Sequence, residues 1–279
     1  MAGCASGGRT PPSDPDAVTA VRALPPDTAA STDIAGMPRG FGAAFGLADQ
    51  RARRILYYQQ CSAAVLGMRA RGKFGAAASA PRGVYCTRTA DGVPLGGVYD
   101  IDSAFTRVRR LQVIRLDGAQ PKWTAALDTS AVSGLAKVQR EASVTLSPQF
   151  RTARRAYAIV PVALEDGTLE AWAVPRVTTL RDVVLGGDIG MARQRDGTVT
   201  RVVDHAASWK RFVVPATGVV SLRSVEPEVG GVQELLVARM LAERGREVVV
   251  VTAAATSALV PGLDASGSRY TWQHTPGGR

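Results

Sequence analysis

At 279 residues, 46% hydrophobic and 21% charged, the chain has the make-up of a globular protein, with length for one large domain or two small ones. No run approaches the ~18 consecutive apolar residues of a membrane-spanning helix, Gly and Pro are too few and too aperiodic for a collagen-like chain, and only two histidines, His205 and His274, are present, which excludes a three-histidine metal site. The net charge of +10 comes from 30 Arg and 4 Lys against 24 acids, and it is uneven, with 18 basic and 6 acidic residues between positions 51 and 155.

The chain opens Met1-Ala2-Gly3-Cys4, and from Ala5 to about Arg39 it is rich in Gly, Pro, Ser, Thr, Asp and Ala. Strings such as Thr10-Pro11-Pro12-Ser13-Asp14-Pro15 and Leu24-Pro25-Pro26-Asp27 lack the apolar content to fold, which predicts a disordered tether over 1–39. Ala2-Gly3-Cys4 resembles the end of a bacterial lipoprotein signal, in which a pair of small residues precedes the Cys that becomes lipidated. Met1 stands where that signal ordinarily has Leu, and the charged and apolar segments of a leader are not in the sequence as given. The resemblance implies lipidation at Cys4, a membrane as partner through that anchor, and a cell-envelope location. Without a leader encoded upstream, the reading reverts to the cytoplasm.

The rest predicts a single α+β domain over 40–279, with 215–218 as an alternative internal boundary. Leu47 to Arg71 reads as a helix, because Ile55, Tyr58, Cys61, Val65 and Met68 recur at three- and four-residue steps and Gly72 follows as a stop. Cys61 and Cys86 are the pair left once Cys4 carries lipid. A disulfide between them would close a loop of 25 residues, and such bonds persist in oxidising compartments. From 84 to 225 the pattern predicts an antiparallel meander built on Asp-Gly hairpins, since Asp91-Gly92, Asp117-Gly118, Asp166-Gly167 and Asp196-Gly197 suit tight turns with positive φ. Tyr157–Leu164 with Leu169–Val174, and Asp188–Gln194 with Thr198–Asp204, are the clearest hairpins. Val84–Arg88, Val98–Ile101 and Leu111–Leu116 are further strands.

A second helix is expected over Asp128–Ser143, on a stripe of Val132, Leu135, Val138 and Ala142. A third is expected over Glu228–Arg244, on Val229, Val232, Leu236 and Met240. Lying between Gly218–Val225 and Val248–Val251, it predicts a strand–helix–strand unit. The alternating tail Arg269–Thr275 places Tyr270, Trp272 and His274 on one face, either as an aromatic binding surface or as a sheet face packed on a helix.

No Gly-x-Ser-x-Gly elbow, P-loop, dinucleotide fingerprint, Cys-x-x-Cys pair or H-E-x-x-H zinc motif occurs. The catalytic candidates centre on His205, with Asp188 on the predicted partner strand and Ser208 three residues on, as an acid–base couple or a triad. Asp204 precedes His205 but points to the other face of a strand, so it is not the expected orienting acid. Gly186-Gly187-Asp188-Ile189-Gly190 reads as a bulge or a sharp strand entry, and Asp100 with Asp102 falls short of a calcium site. Arg51, Arg54, Arg107, Arg109, Arg110, Arg154 and Arg155 are the anion-binding candidates of the basic region. Nucleic-acid signatures are missing.

The leading expectation is a non-enzymatic envelope lipoprotein that binds or scaffolds a partner, anionic if the arginines serve it. Its alternatives are a hydrolase using His205 with Asp188 or Ser208, and a cytosolic binder of nucleic acid or other anions through 51–155. No cofactor or metal is expected.

Overall fold

A computed structural model of the chain describes residues 34–74, 83–88, 93–116, 129–152, 156–164, 166–226, 228–262 and 269–277. Three helices and thirteen strands fall among them: α1 (Phe41–Ala70), β1 (Gly83–Arg88), β2 (Pro94–Ile101), β3 (Val108–Arg115), α2 (Thr129–Thr152), β4 (Tyr157–Ala163), β5 (Leu169–Pro175), β6 (Asp182–Gly186), β7 (Ile189–Arg193), β8 (Val199–Asp204), β9 (Trp209–Val213), β10 (Val220–Arg223), α3 (Val232–Ala242), β11 (Val248–Val251), β12 (Ala255–Pro261) and β13 (Tyr270–Pro276). The fold is α+β, as expected. Cys4 and most of the proposed tether lie outside the described residues, as do Arg154, Arg155 and the Asp91-Gly92 and Asp117-Gly118 turns.

The strands do not form one meander. They divide into β1-β2-β3, β4-β5-β7-β8, β10-β11-β12-β13 and a ribbon of β6 with β9. Both expected hairpins are present, with Gly167 and Gly197 at positive φ in their turns and Asp166 and Asp196 accepting the N–H groups of Thr168 and Thr198. The predicted strand–helix–strand unit is also present, with β10 parallel to β11 on either side of α3.

Helix α1 starts six residues before its predicted N-terminus because Phe41 and Phe45, both buried, extend its apolar face. Helix α2 runs on past Ser143 because Leu146, also buried, continues the stripe, and Pro148 is accommodated near its end. Two strands are buried on both faces. Trp172 and Val174 of β5 join the cluster that holds α1 and α3, while Ala171 and Ala173 face Val138, Ala142 and Leu146 of α2. On β2, Leu95, Tyr99 and Ile101 pack with Val132 and Ala136 of α2, and Val98 packs with Cys61 and Val65 of α1. Gly96 permits that approach, since a Cβ there would lie 2.5 Å from a Val65 methyl. Helix α3 is the interior helix, with ten of its eleven residues buried; Met240, placed on the expected apolar stripe, is the exception. The largest cluster draws side chains from Phe41 to Ala255, so the segments before and after 215–218 share one core.

Two clusters of the same chemistry bolt α1 in place. Asp49 accepts Nε and Nη2 of Arg239 (α3), both at 2.7 Å, and the indole N–H of Trp272 (β13) at 2.8 Å. Glu170 (β5) accepts Nε and Nη2 of Arg51 at 2.9 and 2.6 Å, and the indole N–H of Trp172 at 2.6 Å. In each, the guanidinium lies near the same indole, 6.0 Å and 5.2 Å from the ring centre. Bidentate charge-assisted bonds of this kind are stronger and more directional than neutral ones, so they fix the helix's rotation as well as its position.

A disulfide joins Cys61 of α1 to Cys86 of β1. Closing 25 residues removes unfolded-state entropy worth about 3 kcal/mol in the chain-entropy model. Reduction, or Cys86→Ser, is therefore expected to lower the unfolding free energy by roughly that amount, read from urea transitions with and without reductant. An unchanged midpoint would show that the bond adds nothing beyond the packing of α1 on β2.

Candidate functional site

Strands β6 and β9 flank the β7–β8 hairpin in sequence, and their ladder continues into it: Gly186 pairs with Trp209 and, beyond an interruption, Ile189 pairs with Asp204. The four strands thus make one long hairpin with a kink, where Gly187 and Asp188 face His205 to Ser208. Gly186 and Gly187 take φ of +69° and +79°, a region L side chains rarely enter, so the expected bulge at this string is what the structure contains. The kink is closed by backbone bonds from the N–H of His205 to the Asp188 carbonyl and from the N–H of Gly187 to the Ser208 carbonyl.

Asp188 and His205 meet there, as the strand pairing predicts. His205 Nδ1 lies 3.2 Å from Asp188 Oδ1, and Nε2 lies 2.5 Å from Glu226 Oε1 in the loop between β10 and α3. Asp188 is fully buried, while the side chains of His205 and Glu226 are 17% and 33% exposed. Glu234, on the first turn of α3, completes the group: it is fully buried, and its Oε1 accepts the Val225 N–H at 3.2 Å. Asp188 Oδ2 and Glu234 Oε2 are buried with no hydrogen-bond partner among the described residues. The loop is further tied by Ser224 Oγ, which accepts the N–H groups of Glu226 and Gly231.

Burial pushes the Glu234 carboxyl up to about 7, and the negative charge of Asp188 adds to the effect against the pull of two backbone N–H groups and His205. The hydrogen bond to Asp188 raises His205 above its ordinary value despite the opposing cost of partial burial, helped by the charges of Asp188, Glu226 and Glu234. The imidazolium form has an N–H for each of the two carboxylates.

Ser208 donates its backbone N–H to the His205 carbonyl, but its exposed hydroxyl makes no bond to the ring. Asp204 binds Arg201 and the N–H of Ala206, away from His205. Glu226, Glu234 and Ser224 were not foreseen. The one available signal was Glu234, an acid directly before the apolar run Leu235–Ala238 and after Gly230-Gly231.

The other candidates separate. Arg51, expected to bind anions, is committed to Glu170, and Arg54 is half-buried on α1 beside Tyr57. Arg107, Arg109 and Arg110 are exposed on the β2–β3 connection and β3. Asp102 caps that connection by accepting the N–H and hydroxyl of Thr106, and Asp100 accepts the Ile101 N–H. His274 and Trp272 are not a binding surface: they pack edge-on against Phe41 and Phe45, and Ser257 Oγ is 2.8 Å from His274 Nδ1. Among the described residues no group of three or more His, Cys, Asp or Glu is placed to hold a metal ion.

Comparison with protein-family models, curated proteins and solved structures finds no match to this chain. No helix among the described residues is long and apolar enough to cross a membrane, and the Cys61–Cys86 disulfide points to a non-reducing compartment.

Proposed function

We propose that the chain is the folded domain of a bacterial cell-envelope lipoprotein, held to a membrane through Cys4 and acting without catalysis as a binding or scaffolding module for an anionic envelope partner. The observation that carries the reading is the disulfide between α1 and β1, a bond that cytosolic reductants oppose. The exposed Arg107, Arg109 and Arg110 supply the charge for such a partner. The non-catalytic part rests on His205. A general base needs a ring nitrogen with a lone pair facing the proton to be taken, and both nitrogens here face carboxylates. The hydrolase alternative has the Asp188–His205 pair in its favour, and it requires Glu226 to leave Nε2.

The test is mass spectrometry of the N-terminal peptide and of the thiol state, on protein made in its native cell with its upstream codons intact. A diacylated Cys4 with Cys61 and Cys86 oxidised is expected. An unmodified N-terminus with both thiols reduced would overturn the envelope reading.

A further inference from the structure

We propose that the Asp188–His205–Glu226 bridge is a proton-controlled clasp, which holds the start of the β10–α3 loop, Ser224 to Glu226, over the kink of the long hairpin and releases it as the surroundings turn alkaline. The bridge spans two parts of the fold that the backbone does not join: Asp188 and His205 belong to the hairpin, Glu226 to the loop that leads into α3. An imidazolium donates to both carboxylates. A neutral imidazole has one N–H, so one nitrogen then turns a lone pair towards a carboxylate oxygen and that contact becomes repulsive. Asp188 is fully buried and cannot turn to water, whereas Glu226 is one-third exposed and can. Glu226 is therefore the side that lets go.

The second titrating group works in the same direction. Glu234 holds the loop through the Val225 N–H, in the same buried space as Asp188. Its Oε2 and Asp188 Oδ1 both lie around the Cα of Gly231, 2.4 and 3.8 Å from where a Cβ would stand there. Neutral Glu234 tolerates the Asp188 charge; an ionised one adds a second negative charge in a place with unpartnered acceptors already buried. The titratable groups facing His205 are thus Asp188 from the hairpin, Glu226 from the loop and Glu234 from α3, with the Ser224 hydroxyl as the neutral tie. Asp204, next in sequence, is engaged by Arg201.

The experiment is amide hydrogen exchange of the intact protein from about pH 5.5 to about pH 9, corrected for intrinsic rates and read on peptides covering 222–236. Exchange in the loop is expected to be about tenfold faster at the alkaline end over and above any change in the β4–β5 hairpin, which reports the fall in global stability. His205→Gln, which cannot bridge both carboxylates by ion pairing, should leave the loop fast-exchanging at every pH. Glu226→Gln should shrink the pH step to the part that follows Glu234, because an amide accepts from an imidazolium and donates to a neutral ring. If His205→Gln fails to fold, wild type and Glu226→Gln still decide the matter, since Glu226 is partly exposed. Equal protection of the wild-type loop across the range would overturn the proposal, as would a pH step unchanged by Glu226→Gln.

Discussion

Asp49→Ala is expected to destabilise the protein by about 3–5 kcal/mol, the cost of removing one partner of a buried ion pair. Arg239 is 5% exposed, and without Asp49 its guanidinium loses both bonds that Asp49 accepts, while Trp272 loses the acceptor for its indole N–H. A loss of that size is a large part of the 5–15 kcal/mol that ordinarily separates folded from unfolded domains. Chemical denaturation gives the number. The informative comparison is Asp49→Leu combined with Arg239→Met, which removes both charges and should cost much less. If the single and double variants lose the same stability, the pair contributes through packing alone.

Stability should also fall as pH rises towards neutrality, and Glu234 is the main cause. Its carboxyl is pushed up to about 7 in the folded chain by burial, against 4.5 for a free glutamate side chain. Below 4.5 both states hold the proton; between 4.5 and about 7 only the folded state does, so stability declines across that window and levels off above it. The full loss is on the order of 3 kcal/mol. His205 has the same sign, since its raised value makes its contribution present on the acid side and lost as pH climbs through the folded value. Asp102, Asp182 and Asp196 oppose this only in strong acid, because their values are lowered by bonds from Thr106, Arg211 and Thr198. Glu234→Gln should flatten the slope between 4.5 and 7 and raise stability at about pH 8, as read by urea midpoints across pH. A slope unchanged in Glu234→Gln would place the titration elsewhere.

What the sequence disclosed followed from local signals. Asp166-Gly167 and Asp196-Gly197 specify turns by their own φ preferences, and Ile55, Cys61 and Val65 mark the buried face of α1 by spacing alone. The tail was legible as alternation, and its aromatic face proved to be packing for α1. Strand β12 was not read because Ala255-Thr256-Ser257-Ala258 has little β-branched or aromatic character; its partners β11 and β13 make it a strand. The meander breaks at the kink around Gly187 and Asp188, where the sequence reads a bulge without showing that β6 and β9 separate there from β7 and β8. Asp188 with His205 was within reach because strand pairing brings them together. Glu226 and Glu234 come from the loop after β10 and the first turn of α3, and only the tertiary fold places them at the kink.

The bolts on α1 also bear on when the chain can fold. Arg51 finds its carboxylate 119 residues later, and Asp49 finds its guanidinium and its indole 190 and 223 residues later. During synthesis β1 and β2 can cover the Cys61–Val65 end of α1 early, but Phe41 and Phe45 at its start wait for β13, the last of the described strands. Contacts so distant in sequence slow folding, because the entropy of closing large loops precedes the reward. A chain whose helix α1 waits for β13 stays longer in an incompletely folded form, with Phe41 and Phe45 uncovered.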